Sequence, residues 1–110
     1  MASANQLDAL SKVIASRKGG DADKSYSATL LAKGLDACAR KFGEEAVETL
    51  IAAMSRDKQA VISESADVLY HWLVLLAALD IDPSDVYAEL ARRESQSGIA
   101  EKASRPHAQK

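Results

Sequence analysis

Aromatic residues make up only 5% of this chain, one tryptophan, one phenylalanine and three tyrosines. Sheets draw on aromatic and β-branched side chains, so this scarcity argues against a sandwich or barrel. Cysteine occurs once, as Cys38, so no intramolecular disulfide can form. A lone thiol fits a reducing compartment, and with only two histidines in the chain no CxxC or Cys/His set for structural zinc is in view. Cys38 reads as a small core residue. An excess of one charge is also missing: the formal net charge is −2, which leaves no electrostatic footprint for DNA or RNA. The start, MASANQLDAL, lacks the basic-then-apolar pattern of a signal peptide. The longest apolar run, 66–79, has 14 residues and still contains Asp67 and His71, whereas a membrane span needs about 20 apolar residues. These absences together describe a soluble protein of the cytoplasm that binds neither nucleic acid nor membrane.

What is present is alanine and leucine, both strong helix formers. With 110 residues, 47% of them apolar, the chain suffices for one domain with a real core. The expected domain covers 1–105, and 106–110 is expected to form a flexible tail. Five helical segments and no strand are legible. Ser3 to Gln6 reads as a capping box before a helix with Leu7, Leu10, Val13 and Ile14 on one face. A polar, glycine-containing loop, 17–25, follows. Ser27 is the expected cap of a short helix that ends at Gly34. Asp36 caps a third helix reaching about Met54, and Asp57 a fourth from Lys58 to Leu79. Asp82 followed by Pro83 opens a fifth, which is expected to run to Gly98.

On a wheel of 100° per residue, Ala39, Phe42, Ala46, Val47, Leu50 and Met54 form one stripe of the third helix. Lys41, Glu44, Glu45 and Glu48 lie opposite. Alone, that is an amphipathic helix with a wet acidic face. The fourth helix changes the reading. Glu64 and Asp67, three residues apart, sit side by side at the start of a rod that has no polar face from Ala66 to Leu79. A helix apolar all round is buried all round, so the two carboxylates belong to a side that packs against something.

Partly buried carboxylates must be protonated, paired or bound to a cation. Two of them about 4 Å apart repel by about 4 kcal/mol at an effective dielectric of about 20. Lysine or arginine could supply the counter-charge, but the inner strip of the fourth helix carries neither. The favoured reading is a metal site. Its candidate ligands are all oxygen, which suits Mg²⁺, with Mn²⁺ as the alternative. Such a site in a small helical protein points to phosphate chemistry.

The pattern Glu44-Glu45-x-x-Glu48, fifteen residues, Glu64-x-x-Asp67 resembles that of the MazG-like superfamily of all-α nucleotide pyrophosphatases. Within it the chain is similar to the phosphoribosyl-ATP pyrophosphatase family of histidine biosynthesis. The stretches that carry this are SYSATLLAKG, KFGEEAVE, ESADVLYHWLVLLA and ELARRESQSGIAEKASR, and the similarity spans about residues 5–105. The resemblance implies an all-α bundle of four to five helices completed by homodimerisation. It implies Mg²⁺-dependent hydrolysis of phosphoribosyl-ATP to phosphoribosyl-AMP and pyrophosphate. By position, Glu45, Glu48, Glu64 and Asp67 match the metal ligands, while Glu44 would hold a second metal or orient the attacking water.

A substrate with this many phosphates needs basic partners. Lys41, on the acidic face, is the first choice, followed by Lys33. Arg92, Arg93, Lys102 and Arg105 form a late basic group, with Ser104 among them. His71, one turn beyond Asp67, reads as a core histidine or as a donor to a ligand carboxylate. Tyr70 and Trp72 read as core or dimer contacts, and Trp72 to Leu79 as the expected dimer interface. Two other functions stay open: a housekeeping nucleoside triphosphate pyrophosphatase, and a non-catalytic helical oligomerisation module.

Overall fold

The computed structural model describes residues 2–22, 25–94, 98, 102, 103 and 105. The described residues contain five α-helices and no strand: α1 (Asn5–Arg17), α2 (Tyr26–Lys33), α3 (Leu35–Met54), α4 (Lys58–Ala78) and α5 (Pro83–Arg93). The protein is all-α, as its composition indicates. α3 and α4 form a long antiparallel hairpin, against one end of which α1 and α2 pack.

Local chemistry sets most helix starts. The Asp57 carboxylate accepts from the Ala60 N–H at 3.1 Å and opens α4. Arg56, in the same turn, has φ +59°, a left-handed conformation that costs a side-chain-bearing residue about 1 kcal/mol or more. The gain is a short reversal that lays α4 directly back along α3. Asp82 accepts from the Ser84 N–H at 2.9 Å, with Pro83 in the first turn of α5. Gly34, at φ +98°, both ends α2 and precedes α3. A side chain there would meet no neighbour but would strain the backbone.

Other boundaries differ from the sequence reading. Ser25, not Ser27, caps α2 by accepting from Ala28 N–H, which frees Ser27 to turn inward and hydrogen-bond the Tyr70 hydroxyl at 2.5 Å. No side chain caps α1: Ser3 Oγ accepts only from Asn5 N–H, and the first helical residue is Asn5. Asp36 lies within the first turn of α3, where its charge complements the helix dipole. α5 ends at Arg93, and Gly98 is itself helical rather than a cap.

The core is built from Ile14, Leu30, Cys38, Leu73 and Val74, flanked by Leu7, Leu10, Leu31, Tyr70, Trp72, Leu75, Ala77 and Ala78. Burying one such aliphatic side chain contributes about 1.5–3 kcal/mol. Cys38 is inaccessible, and burial pushes its thiol pKa up, so it is an inert core residue. Lys18 ties the end of α1 to the end of α4, donating to Ala77 O at 3.0 Å and Asp80 at 2.6 Å.

Packing sets the faces of the two long helices. Alone, α3 reads as a helix with a wet acidic face; with α4 packed on that side, Glu45 is turned inward while Glu44 and Glu48 stay exposed. Glu45 is only 8% exposed, whereas Val47, Leu50, Ile51 and Met54 are 55–76% exposed. The buried and half-buried positions are Ala37, Cys38, Lys41, Phe42, Glu45, Thr49 and Ala52. A wheel gives the phase of a stripe but not the direction in which a neighbour lies; here α4 lies on the acidic side. On α4, the stretch from Trp72 to Leu79, expected at a dimer interface, is covered in part within the chain, with Leu79 45% exposed. Leu73, Val74 and Leu76 are buried, and the apolar surface left open on α4 is at Ile62 and Leu69. Among the described residues, α4 alone is long and apolar enough to cross a membrane, yet its C-terminal half lies inside the bundle and its N-terminal half carries carboxylates.

Candidate active site

The hairpin brings carboxylates from both of its helices to one place. Glu45 and Glu48 are three residues apart on α3, so both project from one side. Glu64, in the second turn of α4, meets them. One oxygen from each of Glu45, Glu48 and Glu64 lies within 4.8 Å of the others. Two full charges at that separation repel by about 3 to 4 kcal/mol at an effective dielectric of about 20. The structure records this strain at Glu48, whose pKa is raised, first by its hydrogen bond with Glu45 and then by the charge of Glu45. Glu64 Oε2 is fully buried and has no hydrogen-bond partner among the described residues. A buried, orphaned carboxylate oxygen beside two other carboxylates is the feature that a cation would satisfy. With oxygen donors only, the set fits a hard divalent ion.

Asp67 is exposed and stands outside this group of three, though its charge still contributes to the raised pKa of Glu48. Glu44 is on the outer edge, paired with Lys41 at 3.4 Å. Lys41 also lies 3.8 Å from Glu45, and Glu44 is the chief cause of its raised pKa. These two contacts place Lys41 against the cluster. His71 is buried, with Nε2 3.9 Å from Glu45 Oε1. Burial, then the charge of Lys41, lowers its pKa, so the imidazole is neutral at pH 7. It acts as a polar wall behind Glu45 rather than as a counter-ion.

The remaining basic candidates are dispersed. Lys33 is exposed at the end of α2. Arg92 grips Glu89 through Nε (3.0 Å) and Nη2 (2.8 Å), and Arg93 reaches the same carboxylate at 2.9 Å. Together they hold the Glu89 pKa down at about 2. Lys102 is exposed and Arg105 half-buried, while Ser104 lies outside the described residues.

The sequence reading passed over Tyr26. Its ring stacks on Tyr70 (centroids 6.0 Å apart, planes at 18°) and presents an edge-on contact to His71 at 6.1 Å. A tyrosine at the start of a capped helix carries no signal of a site by itself; only folding sets it beside His71, which lies 3.9 Å from Glu45. A separate cleft of about 570 Å³ between α1 and the start of α5 shares no lining residue with the acidic cluster. Its Lys18 and Asp80 are already paired, so the carboxylate cluster is the better candidate for chemistry.

Comparison with known proteins agrees with this geometry. Residues 7–94 match the family model described as phosphoribosyl-ATP pyrophosphohydrolase. A protein of Parvibaculum lavamentivorans named phosphoribosyl-ATP pyrophosphatase is 67% identical over 104 residues, 94% of this chain and 95% of that protein. Proteins of the same name from Ruegeria pomeroyi (58% identical; 91% of this chain, 95% of that one) and Geobacter metallireducens (53%; 91% and 92%) are similar over nearly their whole lengths. The matched segment contains α3, α4 and every carboxylate of the cluster, and on that ground the chain belongs to the phosphoribosyl-ATP pyrophosphohydrolase family.

Proposed function

We propose that this protein hydrolyses phosphoribosyl-ATP to phosphoribosyl-AMP and pyrophosphate, the second step of histidine biosynthesis, in a Mg²⁺-dependent reaction in the cytoplasm. The observation that carries the reading is the convergence of Glu45, Glu48 and Glu64 within 4.8 Å on the two helices that the family match covers. Glu45, Glu48 and Glu64 would hold the ion, with Asp67, one turn beyond Glu64, as a fourth ligand. Mn²⁺ would satisfy the same donors. The bound ion supplies charge neutralisation and Lewis acidity toward the polyphosphate.

The chain's own groups do the rest. Lys41, already drawn to the rim by Glu44 and Glu45, is the proposed first contact of the phosphates. Glu44 would orient the attacking water, whose oxygen adds at phosphorus as the phosphoanhydride bond to pyrophosphate breaks. His71 lies behind Glu45, with Nε2 3.9 Å from Oε1. Lys33, Arg92, Arg93, Lys102, Ser104 and Arg105 are the proposed outer contacts for the remaining phosphates. No covalent nucleophile is required, and the only thiol, Cys38, is buried.

The same reading includes a homodimer. Val47, Leu50, Ile51 and Met54 on α3 and Ile62 and Leu69 on α4 are large apolar side chains left in water. A second copy of the hairpin would cover them. Pyrophosphate release measured over a panel of phosphoribosyl-ATP, ATP, dUTP and dCTP, with MgCl₂ or EDTA, tests the reaction. Turnover confined to phosphoribosyl-ATP with Mg²⁺ is expected. Comparable turnover of dUTP or dCTP favours a housekeeping triphosphate pyrophosphatase, and no turnover at all favours an oligomerisation module.

A further inference from the structure

Carboxylates, a divalent ion and Lys41 can recognise only the phosphate part of a nucleotide. The base needs a flat apolar surface within reach of the same site. Of the chain's five aromatic residues, four are half-buried: Phe42, Tyr70, Trp72 and Tyr87. Trp72 and Tyr87 lie together away from the carboxylates, with centroids 6.4 Å apart. Tyr26 differs, being 55% exposed.

Its position is held firmly. Ser25 caps the helix that Tyr26 begins, and the next two residues, Ser27 and Ala28, are buried. Behind Tyr26 stands Tyr70, nearly parallel, fixed by its hydroxyl contact with Ser27 and by an edge-on contact with His71 at 5.0 Å. His71 touches Tyr26 as well and lies 3.9 Å from Glu45. Tyr26 is therefore one side chain removed from the acidic cluster, through His71, backed by a second ring and open to solvent.

We propose that Tyr26 is the platform on which the adenine base stacks while the phosphates occupy the carboxylate cluster, making it a substrate-binding residue that sets preference for a nucleotide over bare polyphosphate. The inference rests on the proposed function in that it takes the substrate to be an adenine nucleotide. Base–aromatic stacking needs no hydrogen-bond code, only a π-face held in place. The stacked Tyr26–Tyr70 pair offers such a face with little conformational freedom left to lose.

The test uses Tyr26→Ala, Tyr26→Leu and Tyr26→Phe in the full chain. In the presence of Mg²⁺, calorimetry measures the affinities for ATP and for inorganic tripolyphosphate, and steady-state kinetics measures KM and kcat for phosphoribosyl-ATP. Losing one base–aromatic stack is expected to weaken ATP binding by about ten- to a hundredfold in the Ala and Leu variants. Tripolyphosphate binding should be unchanged, and Phe should behave as wild type. KM should rise in parallel with kcat little altered. Leu still covers Tyr70, so recovery by Leu would show that Tyr26 is mere cover and overturn the proposal. Equal losses for ATP and tripolyphosphate, or loss in the Phe variant, would also overturn it, assigning the effect to Lys41 or the hydroxyl. If wild type fails to turn over phosphoribosyl-ATP but ATP affinity still collapses in Ala and Leu alone, the stacking role stands and the proposed reaction falls.

Discussion

Along α4, residues before and after Tyr70 live under opposite conditions. From His71 to Leu76 the helix is wrapped by the rest of the chain, and its buried side chains (His71, Leu73, Val74 and Leu76) point to several sides of the rod. From Lys58 to Leu69 it turns Glu64 toward the carboxylates of α3 and Ile62 and Leu69 toward water. One half supplies packing. The other carries electrostatic strain on one side and uncovered apolar surface on the other, both of which are unfavourable in the isolated chain. A cation and a second copy of the chain would relieve both, and the proposed reading puts the chemistry and the association in the same half of one helix.

That division can be broken from either end. The largest effect is expected from Glu64→Gln, which should lower kcat/KM by more than about a hundredfold, beyond the loss typical for a residue that merely supports a ligand. Its melting temperature without metal should hold or rise, because one of three crowded carboxylates is gone. Pyrophosphate release and a circular-dichroism melt read the two quantities; near-wild-type turnover would remove Glu64 from the site. Leu73→Ala, in the other half, should do the reverse. A loss of about 2–5 kcal/mol in urea unfolding is expected for a buried leucine, with kcat/KM per folded molecule preserved.

Mg²⁺ sharpens the contrast. Added at a hundredfold excess over its dissociation constant, an ion that binds only the folded chain stabilises it by about 2.7 kcal/mol. The shift between MgCl₂ and EDTA should appear in wild type and Leu73→Ala, and vanish in Glu64→Gln. On the outer face, Leu50→Glu or Ile62→Glu should convert a dimer to a monomer in sedimentation at micromolar concentration. As surface changes within one chain, they should cost only about 0.5 kcal/mol of intrinsic stability. A wild-type chain that sediments as a monomer would discard the proposed interface.

The smallest effect concerns Glu89, on α5. Hydrogen bonds from Arg92 and then Arg93 lower its pKa from 4.5 to about 2. A depressed carboxylate pKa contributes stability above the unfolded value, and the contribution is lost as pH falls through the folded one. Glu89→Gln should therefore be slightly less stable than wild type near neutrality. The difference should shrink as pH drops from 4.5 toward about 2. The pair is exposed, so only a small change in melting temperature is expected.

Much of this was legible beforehand. Asp57, Asp82 with Pro83, and Gly34 mark their helix ends because caps, ring geometry and positive φ act within a few residues. Ser25 and Ser27 were harder to separate. Both lie at the start of the same helix, and the choice between them depends on Ser27 finding Tyr70, 43 residues away. The three-residue spacings of Glu45 with Glu48 and Glu64 with Asp67 marked the acidic strips. That Glu45, Glu48 and Glu64 converge while Asp67 stays outside depends on how the two helices are rotated against each other, which spacing does not contain.

Residue order alone determined the helical class, the short reversal at Asp57 and hence the antiparallel hairpin, and the presence of acidic groups on both of its arms. These are consequences of local propensity, capping and period, which operate over a turn or two of helix. Tertiary packing decided which side of α3 faces inward, burying Glu45 and leaving Leu50 and Met54 in water, and it set Tyr26 beside His71. The reason is that a helical period leaves the rotation of each rod about its axis free, and only the combined packing of α1, α2 and α4 removes that freedom.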